Sequence, residues 1–203
     1  MTSVRIFGYP IWLSDEVYQV TQDEVDFIFG LNRLEKPGPT ENHITTDGYI
    51  FNHPELLNIK EFCQDQINRY FHGLMEIDEE QTEIYITQSW ANYNQKGQTH
   101  PIHHHPNSIV SAVFYVTPDN TPLTMQRPIE NIFQLRFNYK KMNEWNCNEC
   151  SISASSGQIV IFPSKIQHYV EKNTNKTERV SIAMNTFVRG IMGSDIGRSE
   201  LKL

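Results

Sequence analysis

Between residues 83 and 187 the chain breaks into short runs of β character, each closed by turn-forming residues, and this pattern limits the fold more than any other feature. The runs are Glu83–Asn94, Ser108–Val116, Pro122–Gln126, Phe133–Tyr139, Ser151–Ala154, Gln158–Phe162, Gln167–Val170 and Glu178–Phe187. Between them stand Gly97, Pro106, Pro118-Asp119-Asn120, Ser155-Ser156-Gly157 and Asn173-Thr174-Asn175. Glycine, proline and asparagine favour turns because they accept or fix backbone angles that other residues resist. Many short strands of this kind bury a common core as a two-sheet antiparallel barrel or jelly roll.

Residues 1–78 follow a helical period instead. Thr21 and Glu24 form a capping-box pattern ahead of Val25, Phe27, Ile28 and Leu31. Pro54 starts a longer helix whose apolar positions, Leu56, Ile59, Cys63, Ile67, Phe71 and Leu74, recur every three or four residues. The polar stretch Lys36 to Gly48 between them reads as loop. No linker separates the halves, so residues 1–203 are expected to form a single domain: helical support from 1–78, packed on one sheet of a β core spanning 83–190.

Composition excludes several classes of function. A net charge of −7 argues against a broad nucleic-acid-binding face, although 17 basic residues are enough to line a local groove. No apolar run reaches the roughly 18–20 residues that span a bilayer, and the first residues lack a signal-peptide pattern. The cysteines, Cys63, Cys147 and Cys150, are too few for a secreted disulfide framework and point to a reducing cytoplasm.

The densest chemistry is Thr99-His100-Pro101-Ile102-His103-His104-His105-Pro106. In extended backbone alternate side chains share a face, so His103 and His105 point the same way, about 6–7 Å apart at Cα. That spacing lets two imidazoles grip one metal, while His104 points away. Pro101 and Pro106 lack N–H groups and place the segment at a strand end or sheet edge. A third ligand comes from Ser156 to His168, where a turn, an apolar strand, the Pro163 bend and a second strand bring His168 across the barrel. Alone, His168 reads as a satisfied core histidine; paired with His103 and His105 it reads as a ligand. His43, His53 and His72 have no such partners and are assigned no function.

Three kinds of chemistry fit such a site. A three-histidine site with an open position can hold catalytic zinc and activate water. A cupin uses a His-x-His strand and a later His, and Gly157, Pro163, His168 and Asn173 fit its second motif. Its first motif also expects a Glu shortly after the pair, which Ser108–Val116 lacks. A facial Fe(II) site leaves positions for a bidentate cosubstrate and O₂. Arg179-Val180-Ser181, eleven residues past His168, favours the last. Arg179 and Ser181 share a face; a guanidinium aimed into a barrel is costly unless it meets an anion. 2-Oxoglutarate supplies one, chelating iron at its keto-acid end and presenting a carboxylate deeper in.

His103-x-His105, His168 and Arg179-x-Ser181 resemble the iron and cosubstrate motifs of the Fe(II)/2-oxoglutarate-dependent oxygenases. More narrowly, the chain resembles small, uncharacterised oxygenases common in bacteriophage genomes. The likeness is carried by Phe7-Gly8-Tyr9-Pro10-Ile11-Trp12, Ser89-Trp90-Ala91-Asn92-Tyr93-Asn94, His103–Val116 and Gly157–Asn185. It implies a double-stranded β-helix, Fe(II) held by His103, His105 and His168, and 2-oxoglutarate held by Arg179 and Ser181. It also implies hydroxylation of a second substrate with release of succinate and CO₂, in the cytoplasm, or the host cytoplasm if the chain is viral. The usual triad of that superfamily is His-x-Asp/Glu…His, and position 105 here is His. Two ligand sets therefore stand open: three histidines, or a carboxylate such as Asp119 or Glu171 in place of or beside His105.

Secondary candidates surround these. Trp90, Asn92 and Asn94 share one face of a strand; Asn92 and Asn94 are candidate hydrogen-bond partners of the cosubstrate, and Trp90 a candidate pocket wall. Cys147 and Cys150 form a lone CxxC and read as two free thiols in a loop. Residues 119–150, with Arg127, Arg136, Lys140, Lys141 and Trp145, suit a substrate-covering insertion. The second substrate is open between a peptide side chain, a nucleobase and a small metabolite.

Overall fold

The computed structural model describes residues 8–34, 41–118, 121–127, 137–143 and 145–203. Two antiparallel sheets and two α-helices make up its frame. The strands are β1 (Trp12–Leu13), β2 (Arg33–Leu34), β3 (His43–Thr45), β4 (Thr82–Asn94), β5 (His100–His103) and β6 (Val110–Tyr115). They continue with β7 (Leu123–Gln126), β8 (Glu149–Ile152), β9 (Ile159–Pro163), β10 (His168–Val170), β11 (Arg179–Met192) and β12 (Leu201–Lys202). The larger sheet runs β1-β9-β6-β11-β4-β3-β2, with β12 paired to β11; the smaller runs β5-β10-β7-β8.

The period-2 alternation of the strands sorts residues between two cores. From β6, Val110, Ala112 and Phe114 face the helices, as do Ile159 and Ile161 of β9 and Val180, Ile182 and Met184 of β11. Against them pack Ile28 of helix α1 (Gln22–Gly30) and Ile59, Cys63 and Ile67 of helix α2 (Leu57–Asn68). The intervening residues face the smaller sheet: Val113, Tyr115, Val160 and Phe162 meet Leu123, Met125 and Val170. A third set on that inner face, Arg179 and Ser181 on β11 with Asn92 and Asn94 on β4, is polar and buried.

β4 keeps this division only because of a bulge. Its register with β11 passes from Asn185↔Gln88 to Thr186↔Ile86, leaving Thr87 as the extra residue. A bulge of one residue reverses which parity faces which side. Below it Ile84 and Ile86 pack on the helix-side core; above it Ala91 and Tyr93 do, freeing Trp90, Asn92 and Asn94 for the inner face.

The helices begin as the sequence indicates. Thr21 accepts from Glu24 N–H at 3.3 Å and Thr21 N–H donates to Glu24 Oε2 at 2.8 Å, a complete capping box. The second helix is less regular than its spacing implies. It opens as a 3₁₀ turn (Pro54–Leu56) and closes as a π turn (Arg69–Leu74). The wider π turn carries Leu74 off the apolar stripe, so Leu74 is exposed while Ile59, Cys63 and Ile67 are fully buried.

Other expectations shift. His43–Thr45 is strand rather than loop, because it adds an edge to β4. The expected strand Ser108–Val116 starts at Val110, since Asn107 takes a left-handed conformation (φ 57°) and turns the chain. The expected Ser151–Ala154 lies at Glu149–Ile152, the register that pairs with β7. Of the expected strand Phe133–Tyr139, residues 133–136 lie outside the described set and Phe137–Tyr139 is not strand. Among the described residues, no helix is long and apolar enough to cross a membrane.

Candidate metal and cosubstrate site

Two elements of the smaller sheet bring the histidines together. His103 ends edge strand β5 and His168 begins β10, and they are direct partners across the ladder. The chain leaves the sheet after His103, but His105 N–H donates to Ser164 C=O at 3.0 Å, which holds the next turn against the end of β9. His105 thus reaches the same point without belonging to a strand. His104 is exposed between them.

The candidate ligand atoms of His103, His105 and His168 all lie within 4.8 Å of one another. Nε2 of His105 and Nε2 of His168 are 3.3 Å apart. Two nitrogens each about 2.1 Å from one ion sit about 3 Å apart, so the spacing suits a shared metal. The other ring nitrogens are tied down. His103 Nδ1 meets Pro101 C=O at 2.8 Å and His168 Nδ1 meets Ile166 C=O at 3.0 Å. A carbonyl only accepts, so Nδ1 carries the proton in both and Nε2 keeps its lone pair for a metal. Trp90 stacks on His105 with centroids 5.6 Å apart, and His100 stacks on His103 at 4.4 Å.

Burial sets the protonation of the pair. Desolvation first, then the positive charge of His103, lowers His105 to about 4 and His168 to about 3. Both rings are therefore neutral at pH 7 and ready to ligate. The unfolded chain takes up protons on these residues below about pH 6.5, and the folded chain refuses them until far lower pH. Their contribution to stability is thus complete above pH 6.5 and is lost as pH falls from there toward 4 and 3. The metal-free protein is expected to melt at progressively lower temperature across that window. His168→Phe should flatten the dependence; an unchanged slope in a pH series of thermal melts would contradict the buried neutral pair.

Deeper on the same inner face lies a polar set. Arg179 is opposite Asn94 and Ser181 opposite Asn92 across the β4–β11 ladder. Arg179 is 2% exposed and donates through Nη1 to Asn94 Oδ1 at 3.3 Å and Ser181 Oγ at 3.1 Å. Tyr115, across from Ser181 on β6, turns its ring toward the guanidinium at 5.2 Å. Asn94 Nδ2 is buried with no hydrogen-bond partner among the described residues. A buried donor left open beside a guanidinium fits the carboxylate of a bound acid. Asn92 is turned to another task, accepting from Asn42 Nδ2 at 3.1 Å.

The structure thus gathers His103, His105 and His168 in one group, and Arg179, Ser181 and Asn94 in another. Glu171 follows the end of β10 and is not in the histidine group; it lines a groove with Thr99, Ile102, Tyr169 and Lys172. Asp119 and Arg136 lie outside the described residues. Cys147 and Cys150 are free thiols away from the histidine group. Sequence reasoning missed Tyr115 and Asn42. Tyr115 was legible from alternation, since it shares the parity of Val113.

Part of the chain resembles a known family of proteins. Residues 88–185, which hold His103, His105, His168, Arg179, Ser181, Asn92 and Asn94, match a family model described as "Putative 2OG-Fe(II) oxygenase". That class is the Fe(II)- and 2-oxoglutarate-dependent oxygenases, which are oxidoreductases, and its metal and cosubstrate are those the two groups of side chains fit.

Solved structures share the fold. The carbocyclase SnoK from nogalamycin biosynthesis is 13% identical, with 94% of this chain and 85% of that one covered at a TM-score of 0.60. HygX from Streptomyces hygroscopicus, solved with nickel and 2-oxoglutarate, is 8% identical, with 88% and 82% covered at 0.58. A prolyl-4-hydroxylase from Pseudomonas putida is 15% identical, with 87% and 92% covered at 0.53. A search of curated protein sequences returns no match.

Proposed function

We propose that this protein hydroxylates a carbon–hydrogen bond of a second substrate, with His103, His105 and His168 holding Fe(II) and Arg179 holding the distal carboxylate of 2-oxoglutarate. The observation that carries the reading is the pairing of three convergent imidazoles with a buried guanidinium on one inner face of the barrel. Ser181 and Asn94 fix the guanidinium by accepting from Nη1, and Asn94 Nδ2 is free to donate to the bound carboxylate. The two packed sheets, the helices on the outer face of one, and the inner-facing site support reading the β core as a double-stranded β-helix.

When bound, iron activates O₂ at the expense of 2-oxoglutarate, which leaves as succinate and CO₂ while one oxygen atom enters the substrate. The protein's own part is to hold three neutral nitrogens toward the metal, to seat a dianion by its far end, and to wall the site with Trp90. HygX, solved with nickel and 2-oxoglutarate bound, supports reading a metal and this cosubstrate into the fold. The free thiols support a cytoplasmic setting, in keeping with an intracellular bacteriophage enzyme. Substrate classes to screen are peptide side chains, nucleobases and small metabolites.

The test is succinate release from 2-oxoglutarate by the Fe(II)-loaded protein, with and without cell extract. Succinate that rises with extract, and vanishes in His168→Ala, is the expected result. Absence of succinate under every condition, despite bound iron, would reject the reading.

A further inference from the structure

The three histidines are not held alike. His103 and His168 sit in the ladder of the smaller sheet, and each ring is tethered by the backbone carbonyl two residues before it, Pro101 and Ile166. His105 follows the end of β5 and belongs to no strand. Its backbone is held by Ser164 C=O. That bond fixes where the side chain starts, not how the ring is turned. The terminal torsion of a histidine side chain is broad, so a contact must hold the plane if Nε2 is to stay 3.3 Å from Nε2 of His168.

The indole of Trp90 is placed to do so. It is stacked on the His105 ring with centroids 5.6 Å apart and planes 27° from parallel. The His105 and His168 rings are themselves within 6° of parallel. Turning the His105 ring about its Cβ–Cγ bond would carry one edge of it toward the indole. Trp90 comes from the other sheet, and its own position is well determined. It lies on β4 opposite Ala183 of β11, whose small side chain leaves room beside it for the indole. Earlier on β4 the bulge at Thr87 sets its parity, and Thr87 Oγ1 donates to Asn185 C=O at 3.1 Å, which fastens the bulge to β11.

Resting on the reading of His105 as a metal ligand, we propose that Trp90 is the positioning residue for His105. Its flat face holds the imidazole in the plane from which Nε2 meets the metal together with His103 and His168. Through Trp90 the larger sheet, which also carries Arg179, sets one metal bond of a centre whose other two ligands lie on the smaller sheet. What matters is the planar face rather than apolar bulk.

The experiment uses Ni(II) and the intact chain, with affinity read by chelator competition. Trp90→Leu, which keeps apolar bulk but has no ring, should weaken Ni(II) binding about tenfold, the upper worth of an aromatic pair. Trp90→Phe, which keeps a plane, should recover most of that loss. A tryptophan that only fills space would be replaced equally well by either side chain, and equal affinities in the two variants overturn the proposal. So does wild-type affinity in Trp90→Leu. Should Trp90→Leu fail to fold, Trp90→Met, whose flexible chain fills irregular space without a plane, is expected to weaken Ni(II) in the same direction; unchanged affinity there overturns the proposal equally. Indole emission supplies a second readout. Ni(II) should quench the emission of the wild type more than that of Trp90→Phe, and equal quenching would place Trp90 away from the metal and overturn the proposal. His168→Ala separates this inference from the reading beneath it: Ni(II) retained in that variant would remove the three-histidine centre itself.

Discussion

Arg179→Ala is expected to weaken 2-oxoglutarate binding more than a hundredfold while leaving metal content unchanged. The guanidinium is almost wholly buried and donates to two neutral oxygens, those of Asn94 and Ser181. Taking one member from a buried charge pair costs about 3–5 kcal/mol, because the other charge is left without compensation. In the substituted protein that stranded charge is the distal carboxylate of the cosubstrate. At about 1.4 kcal/mol per decade, the loss exceeds a hundredfold. Arg179→Lys should recover only part, since an ammonium supplies the charge but not the planar fork that engages a carboxylate twice. Calorimetric titration under anaerobic conditions, alongside metal analysis, measures both quantities. Unchanged 2-oxoglutarate affinity in Arg179→Ala would remove this residue from the site.

His105→Ala is expected to lose the metal, and His104→Ala to keep it. The contrast is sharp because the residues are adjacent, yet one is buried against His168 and Trp90 and the other is exposed. Neither change should unfold the protein. Two hydrophobic clusters of their own hold the sheets and helices together, so the fold is expected not to depend on an ion. Circular dichroism of chelated protein should match that of loaded protein; a folding transition on adding metal, as in a zinc finger, would contradict this. His105→Asp recreates the more usual two-histidine, one-carboxylate set, but its shorter side chain makes it an incomplete substitute. Three neutral imidazoles leave the full +2 charge on the metal, where a carboxylate would leave +1. A dianion is then drawn more strongly and the ion itself is held less tightly. Metal retained in His105→Ala would mean that a carboxylate supplies the third bond.

The sequence by itself carried most of the site's composition. Alternation in extended backbone is a local rule, so His103 and His105, or Arg179 and Ser181, can be assigned to common faces without a structure. The capping box at Thr21 and Glu24 is likewise written in four consecutive residues and forms as written. What tertiary structure decided is everything that depends on which strand lies beside which. The pairing of His103 with His168, and of Arg179 with Asn94, follows from ladder register between segments 65 and 85 residues apart. The parity of β4 is a clear case. Ile84 and Ile86 predict one inner face and Ala91 and Tyr93 the other, and only the extra residue at Thr87 reconciles them. That bulge turns Trp90 toward His105 and Asn94 toward Arg179. Ser164 was silent for the same reason. It is an ordinary polar residue just past the end of β9, and its carbonyl receives His105 N–H only because the fold lays the histidine turn against that end.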